Sequence, residues 1–296
     1  MTTNTITDHE YRTSEGVNFS TLKLMHPSKG SPKHYRWALD HPHDGDTASR
    51  GMLRGTHCMC LTPELFDRDF VLYEGRRDKR MAAYKDFLSD NEGKTIVNAK
   101  EFATLTATSN AVRTDPVART ILTHPGAMFE TPLWWTDKRT GLPCKGRADI
   151  IVVFRDAGGA IVRVLVADLK TVQSTDARQM LRDIGKMLYH VQLHHYGAGV
   201  CAMLGVDESM LDYAIVAVEG SDEHDVAVHY LSPDLMYSAG ILRRRMLKRV
   251  AECTEAGEWP GRYPTAHMLD APEYMLVEPT EDELAEILAD ANESSD

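Results

Sequence analysis

Two apolar stretches joined by a pair of glycines constrain this chain more than any other feature. Residues 147–154 and 160–167 are rich in Val and Ile, and Gly158-Gly159 lies just before the second stretch. Short β-branched runs bounded by glycine predict strands, and two glycines suit a turn that needs positive φ at both positions. We therefore predict a β-hairpin, whose turn determines which residues of the two strands face each other.

Counting outward from that turn places Asp149 opposite Asp168 and Arg147 opposite Lys170. Opposed residues have Cβ atoms about 5 Å apart, and Lys170 projects from the same face as Asp168. Two carboxylates this close repel each other and one pKa rises, whereas Mg²⁺ is commonly held by one or two carboxylates plus substrate phosphates. The spacing thus indicates a metal-dependent phosphodiester hydrolase, in which Lys170 positions water or stabilises charge on phosphorus. A surface hairpin whose ends happen to be charged remains the alternative.

The rest of the chain surrounds this hairpin with predicted helices. Apolar spacing indicates helices over residues 47–61, 64–88, 100–124, 175–204 and 233–255, and a further strand pair over 211–218 and 226–230. Helices followed by a hairpin, a long helix and more strands predict an α/β (α+β) fold with a mixed central sheet flanked by helices.

Several polar residues on predicted helices are candidates for the same site. Gln192 and Tyr196 lie four residues apart and so share a helix face, where they can hold a phosphate or a base. His57 lies among apolar residues, and a histidine in that setting is commonly a satisfied core residue. His190 and His194 have the spacing of zinc ligands, but no third ligand has a suitable spacing.

The motifs form an ordered set along residues 18–265. In chain order they are Gly55-Thr56-His57, Glu130-x-x-Leu133-x-Trp135-x-Asp137-x-x-Thr140-Gly141, Gly146-Arg147-Ala148-Asp149, Asp168-Leu169-Lys170-Thr171 and Gln192-x-x-x-Tyr196. This set resembles the RecE-type (exonuclease VIII) branch of the PD-(D/E)XK nuclease superfamily, which is related to RecB-type nuclease domains. The resemblance implies a PD-(D/E)XK restriction-endonuclease-like core.

The same resemblance implies a Mg²⁺- or Mn²⁺-dependent exonuclease that degrades linear duplex DNA from its ends, 5′ to 3′, for recombination or repair. It implies duplex DNA ends as the substrate, a ring-shaped homo-oligomer, and a single-strand annealing protein as a candidate partner. The residues carried over are His57, Asp149 and Asp168 as metal ligands, Asp149, Asp168, Lys170 and Glu130 as catalytic residues, and Gln192, Tyr196 and Arg147 as substrate-binding residues.

Two other functions stay open. One is an inactive nuclease fold that binds DNA ends or a recombination partner, and the other is a PD-(D/E)XK endonuclease. Because Asp149, Asp168 and Lys170 are all present, the sequence favours cleavage over binding alone. The added His57, Glu130, Gln192 and Tyr196 set resembles end-processing members and favours an exonuclease.

The net charge of −11 is unusual for a DNA-binding protein, but its position along the chain matters. Residues 263–296 contain ten Asp or Glu and no Lys or Arg, so the remainder has a net charge of −1. We predict a flexible N-terminus over 1–17, one nuclease domain over 18–265, and an acidic, partly disordered tail over 266–296.

Basic residues cluster at 76–80 and 243–249. Either cluster can follow a phosphate backbone or form a solvated helix face. The chain has no apolar run long enough to cross a bilayer and no secretory signal, so the sequence predicts a cytoplasmic protein without membrane association.

Overall fold

The structure, a computed structural model, describes residues 8–42, 48–263 and 265–293. The strands are β1 (Phe70–Leu72), β2 (Thr95–Val97), β3 (Ala127–Thr136), β4 (Pro143–Arg155), β5 (Ile161–Val172), β6 (Leu211–Glu219) and β7 (Val226–Tyr230). The helices are α1 (Asp8–Thr13), α2 (Phe19–Leu22), α3 (Pro32–Asp40), α4 (Ala48–Leu61), α5 (Phe66–Asp69), α6 (Ala82–Asp90), α7 (Ala99–Thr114), α8 (Pro116–Leu122), α9 (Ala177–Met187), α10 (Tyr189–Leu204), α11 (Pro233–Ala256) and α12 (Glu281–Glu293).

The centre is a five-stranded sheet in the order β3-β4-β5-β6-β7. Strands β5 and β6 are parallel and the other neighbours are antiparallel, so the sheet is mixed. Because successive side chains of a strand point to opposite faces, the apolar strands supply two cores. Val164 and Val166 pack with α10 and α11 on one face, and Leu165 and Ala167 pack with α4, α7 and α8 on the other. The predicted mixed sheet flanked by helices is confirmed.

The hairpin of β4 and β5 has the predicted register with a different turn. The ladder runs from Ile150 opposite Ala167 to Phe154 opposite Arg163, and a bulge follows. The chain then reverses through a loop in which the Asp156 carboxylate accepts hydrogen bonds from the N–H groups of Gly158 and Ala160. The two-residue glycine turn is therefore wrong, and the bulge compensates for the longer loop, so the register of the ladder is unchanged.

Three predicted helices are interrupted. The segment 64–88 contains strand β1, and the segment 100–124 breaks at Pro116, which lacks the N–H that helix α7 would need to continue. The segment 175–204 breaks at Leu188, whose φ is 62° although it is not a glycine. Leu188 is buried, so packing compensates for this left-handed backbone.

Helix α4 packs against helix α7 and the small parallel sheet of β1 and β2. Gly55 lets the two helices approach, because a Cβ atom there would lie 2.8 Å from the Leu105 side chain. The Ser109 hydroxyl donates to the Met59 carbonyl (2.7 Å), and Arg113 donates to the Cys60 carbonyl (3.0 Å). These contacts set the position of α4, which carries His57.

Both ends of the chain contain a helix where they are described. Residues 8–17 contain α1, and the Lys145 ammonium donates to the Tyr11 carbonyl at 3.0 Å. Residues 265–293 include the exposed helix α12. Residues 1–7, Thr47 at the predicted helix start, and residues 294–296 lie outside the described residues. Among the helices that are described, none combines the length and apolarity needed to cross a lipid bilayer.

Candidate active site

The site lies where strands β4 and β5 separate, a point that we call the fork. Their ladder ends at Ile150 and Ala167, after which β5 pairs only with β6 and β4 continues beside β3. The Asp149 carboxylate accepts the Leu169 N–H at 2.9 Å and so takes the place of a ladder hydrogen bond. Asp149 and Asp168 therefore flank the fork, as the register predicts. The predicted pairing of Arg147 with Lys170 is wrong, because the ladder has already ended.

Three side chains with atoms that can ligate a metal ion converge beside this fork from three different elements. His57 comes from α4, Glu130 from β3 and Asp149 from β4. The His57 Nδ1 atom lies 3.5 Å from a carboxylate oxygen of Glu130 and 3.5 Å from one of Asp149. Their donor atoms all lie within 4.8 Å of one another, and all three side chains are at least partly buried. Asp168 is not part of this group among the residues that the structure describes.

The backbone of Glu130 has a strained conformation at the point where its side chain joins this group. Its φ is 45°, although the residue lies inside a strand, and the ladder skips it between Phe129 and Thr131. A left-handed conformation in a non-glycine residue costs about 1–3 kcal/mol. The Glu130 carboxylate gains the contact with His57 and an ion pair with Arg147 at 3.3 Å.

Asp168 and Lys170 form a buried ion pair next to these donors. Asp168 is 1% exposed, and its carboxylate contacts the Lys170 ammonium and accepts a hydrogen bond from Gln192 Nε2 at 3.1 Å. Burial and the neighbouring Asp149 carboxylate raise the pKa of Asp168 to about 6. Burial lowers the pKa of Lys170, but the Asp168 and Asp149 carboxylates outweigh burial and raise it, so Lys170 remains a cation.

The excess of carboxylate charge also acts on His57. Burial would lower its pKa, but the Asp149 and Glu130 carboxylates raise the pKa of His57 to about 9. The protonated imidazole thus supplies positive charge to this group of acids. A divalent cation bound by the same donors would supply that charge instead.

The helix α10 places the predicted substrate-side pair over the fork. Gln192 Nε2 donates to both the Asp168 carboxylate and the Tyr196 hydroxyl, the latter at 3.0 Å. Tyr189, one residue after the Leu188 break, lies with its ring centre 4.8 Å from the Lys170 ammonium. Sequence reasoning missed Tyr189, because nothing in the local pattern marks a helix break at Leu188.

Arg147 lies at the rim of the site. It pairs with Glu130 and stacks over the Tyr11 ring of α1, with 5.2 Å between the guanidinium carbon and the ring centre. His194 contacts the Glu208 carboxylate at 2.8 Å, and neither His190 nor His194 belongs to a potential metal group within the described part of the chain. Their zinc-like spacing therefore reflects packing of α10.

A second buried polar network connects α10 with α11 and with Asp137. The Arg243 guanidinium donates to the Asp137 carboxylate at 3.0 Å and to the His195 Nδ1 atom at 3.4 Å. Burial would raise the pKa of Asp137, but the guanidinium and hydrogen bonds from Thr140 lower it. Burial and Arg243 lower the pKa of His195 to about 3, so this imidazole is neutral at physiological pH.

Residues 18–272 match the family model described as "PDDEXK-like domain of unknown function (DUF3799)". The chain belongs to this PDDEXK-like family. A crystal structure from Eubacterium rectale named "Putative exonuclease" has a TM-score of 0.57 and 12% sequence identity, and the match covers 96% of this chain and 98% of that chain. That likeness concerns the fold. No curated protein shows significant sequence similarity to the chain.

The PDDEXK-like site suits a divalent metal. Two carboxylates and one imidazole lie within 4.8 Å of one another, and these are donors that Mg²⁺ and Mn²⁺ accept. His57, Glu130 and Asp149 would hold the ion, with Asp168 alongside. The contribution of Glu130 to the donor set adds a residue to the predicted ligands His57, Asp149 and Asp168.

A single methyl group tests the placement of Tyr196 in this PDDEXK-like domain. A Cβ atom on Gly146 would lie 2.8 Å from the Tyr196 ring, which is too close for carbon atoms. We expect Gly146→Ala to displace the Tyr196 ring and to lower the rate of the nuclease reaction about 10-fold or more. A small misplacement of a group near an active site can lower the reaction rate about 100-fold. Gly146→Ala/Tyr196→Ala should recover the lost protein stability relative to Gly146→Ala, measured by thermal unfolding. Equal activity of Gly146→Ala and wild type would contradict the placement.

Proposed function

We propose that this protein is a divalent-metal-dependent exodeoxyribonuclease that degrades linear duplex DNA from its ends. The observation that carries the proposal is the convergence of His57, Glu130 and Asp149 beside the buried Asp168–Lys170 pair. Three acids gathered around a buried lysine are costly in a fold that needs only stability, even where each acid has a partner. Membership of the PDDEXK-like family supports nuclease chemistry at this position.

The residues of the chain have distinct tasks in this proposal. A bound Mg²⁺ or Mn²⁺ supplies Lewis-acid polarisation of the phosphate and a lowered pKa for water. Lys170, held as a cation by the Asp168 carboxylate, positions the attacking water or stabilises charge on the phosphorane oxygens. Gln192 orients both the Asp168 carboxylate and the Tyr196 hydroxyl, and this pair is proposed to contact a phosphate or base of the DNA.

The finer assignments rest on the order of the sequence motifs. That order supports the RecE-type branch, cleavage from 5′ to 3′, a ring-shaped homo-oligomer around DNA, and action with a single-strand annealing protein in recombination or repair. The imidazole of His57 in the donor set supports activity with Mn²⁺ as well as Mg²⁺, because nitrogen ligands suit Mn²⁺ better than Mg²⁺.

The test compares the ends of DNA with its interior. With Mg²⁺ or Mn²⁺, we expect progressive loss of linear duplex DNA and survival of covalently closed circles under the same conditions. EDTA should abolish the loss because the carboxylates alone do not polarise the phosphate. Substrates labelled at the 5′ or the 3′ end determine polarity from the first labelled product.

Two outcomes would replace this proposal. Nicking of closed circles at a rate comparable with loss of linear DNA would favour an endonuclease. Binding of DNA ends without cleavage in either metal would favour an inactive nuclease fold that acts as a binding module.

The acidic C-terminal segment is expected to weaken DNA binding. Residues 263–296 contain ten of the acids that make the net charge −11, and the described side chains of 265–293 are exposed. Truncation after Tyr263 should therefore strengthen DNA binding by about 10-fold at low salt, with a smaller gain at high salt. Fluorescence anisotropy of a labelled duplex across a salt series measures the change. Identical salt dependence of the two proteins would contradict it.

A further inference from the structure

Five cations of the turn after α2, helix α11 and the segment beyond it form a group that we call the basic track. It consists of Lys23, Lys29, Arg245, Arg249 and Arg262. Lys23 lies in the segment that follows α2. Its carbonyl accepts the His26 N–H at 3.0 Å, and the His26 carbonyl accepts the Lys29 N–H at 2.8 Å, so Lys23 and Lys29 belong to one short turn. Burial and the charges of Lys29 and Lys170 lower the pKa of Lys23.

The far part of the track lines a cleft of about 550 Å³ between the segment after α2 and helix α11. Arg245, Arg249 and Arg262 line this cleft together with His26, and Met25 and Met246 supply apolar surface. Arg245 and Arg249 are four residues apart, so they lie on one face of α11 about 6 Å apart. Lys29 adjoins the cleft, because its N–H donates to the carbonyl of the cleft residue His26 at 2.8 Å.

Among the described residues, no ion pair balances the positive charge of the track. Within residues 8–42, 48–263 and 265–293, none of its five cations forms an ion pair, whereas the neighbouring Lys248 pairs with Glu252. Like charges that cluster without counter-ions repel one another, and this chain has 44 acidic residues that could have paired with them. The arrangement fits an external polyanion.

We propose that the basic track binds the phosphate backbone of the DNA strand beyond the scissile phosphate and leads it from Lys170 to the cleft beside α11. This inference rests on the proposed function and adds a route for the substrate. A group of cations suits the repeating charge of a nucleic acid. The proposed cleavage at Lys170, whose charge also acts on Lys23, favours DNA over an acidic peptide, since a peptide in the cleft has no reason to extend to Lys170.

The experiment measures the salt dependence of DNA binding by the full chain in EDTA, so that cleavage does not interfere. The variants are Arg249→Gln and Arg245→Gln/Arg249→Gln, and the matched control is Lys248→Gln, which removes one charge from the adjacent position of the same helix. For duplex DNA, the slope of log affinity against log salt should decrease by about one for Arg249→Gln and by about two for the double variant. Lys248→Gln should keep the wild-type slope.

Two results would overturn the track while leaving the proposed function intact. In the first, wild type cleaves linear DNA normally, but both arginine variants have the same slope of log affinity against log salt as Lys248→Gln. The other concerns a labelled peptide of residues 265–293. If this peptide binds saturably to wild type but not to the double variant, and the slope for DNA stays at the wild-type value, the cleft binds an acidic peptide instead of DNA. If wild type neither binds nor cuts linear DNA, the proposed function fails and the track fails with it.

Discussion

Lys170→Ala is expected to abolish DNA cleavage and to leave metal binding in place. The Lys170 ammonium is buried against the Asp168 carboxylate and does not belong to the donor group of His57, Glu130 and Asp149. Removal of one preorganised group that stabilises transition-state charge commonly costs about 10²–10³-fold in rate. Release of acid-soluble nucleotides from linear duplex DNA measures the rate, and titration calorimetry with Mn²⁺ measures metal binding.

Asp149→Asn is expected to lose both cleavage and metal binding, because a neutral amide supplies less charge to a hard cation. Asp168→Asn should lose cleavage as well, since it removes the counter-ion of Lys170. Lys186→Ala, in an exposed lysine at the end of α9, is the matched control and should resemble wild type. Cleavage at the wild-type rate by Lys170→Ala or Asp168→Asn would refute the assignment. Loss of Mn²⁺ binding in Lys170→Ala would place the lysine among the groups that organise the metal.

Arg243→Leu is expected to destabilise the protein by about 3–5 kcal/mol, because it leaves the buried Asp137 carboxylate without its cation. Both side chains are less than 10% exposed. The change also removes the donor to His195, on the helix that carries Gln192 and Tyr196. Chemical denaturation monitored by circular dichroism gives the free energy of unfolding.

A control variant and a rescue variant show whether the loss of stability comes from the buried Asp137–Arg243 pair or from the loss of any positive charge on α11. Lys248→Leu, in an exposed residue of the same helix, should change the free energy of unfolding by less than about 0.5 kcal/mol. Asp137→Asn/Arg243→Leu should be more stable than Arg243→Leu, because the amide at position 137 keeps an oxygen for the Thr140 N–H without a buried charge. A loss below 1 kcal/mol in Arg243→Leu would show that Asp137 is satisfied without the guanidinium.

Much of the sheet near the site could be predicted from residue order. The register of β4 and β5 follows from two apolar strands and a nearby turn, and it holds although the turn itself is different. The position of Glu130 beside Asp149 also follows from residue order. The sequence Lys138-Arg139-Thr140-Gly141 is typical of a hairpin turn, and counting outward from it places Glu130 opposite Asp149. The observed ladder of β3 and β4 has this register.

Other parts of the site depend on contacts between distant segments. His57 is 73 positions before Glu130 in the chain, and its approach depends on packing of α4 against α7 at Gly55. Periodicity marks the buried face of a helix but does not state which partner covers that face. The break at Leu188, which brings Tyr189 to Lys170, likewise has no local signal, because burial stabilises a backbone that leucine disfavours.

The sequence by itself determined strands β4 to β7 of the central sheet, the register of β4 and β5, and the pair of acids with a lysine at one end of their hairpin. These features depend on strand periodicity and short connections, which are local properties. Only the tertiary structure decided that His57 and a strained Glu130 join Asp149, while Asp168 pairs with Lys170. The reason is that ion pairing and side-chain direction depend on how helices and strands pack, and many packings are compatible with one pattern of apolar residues.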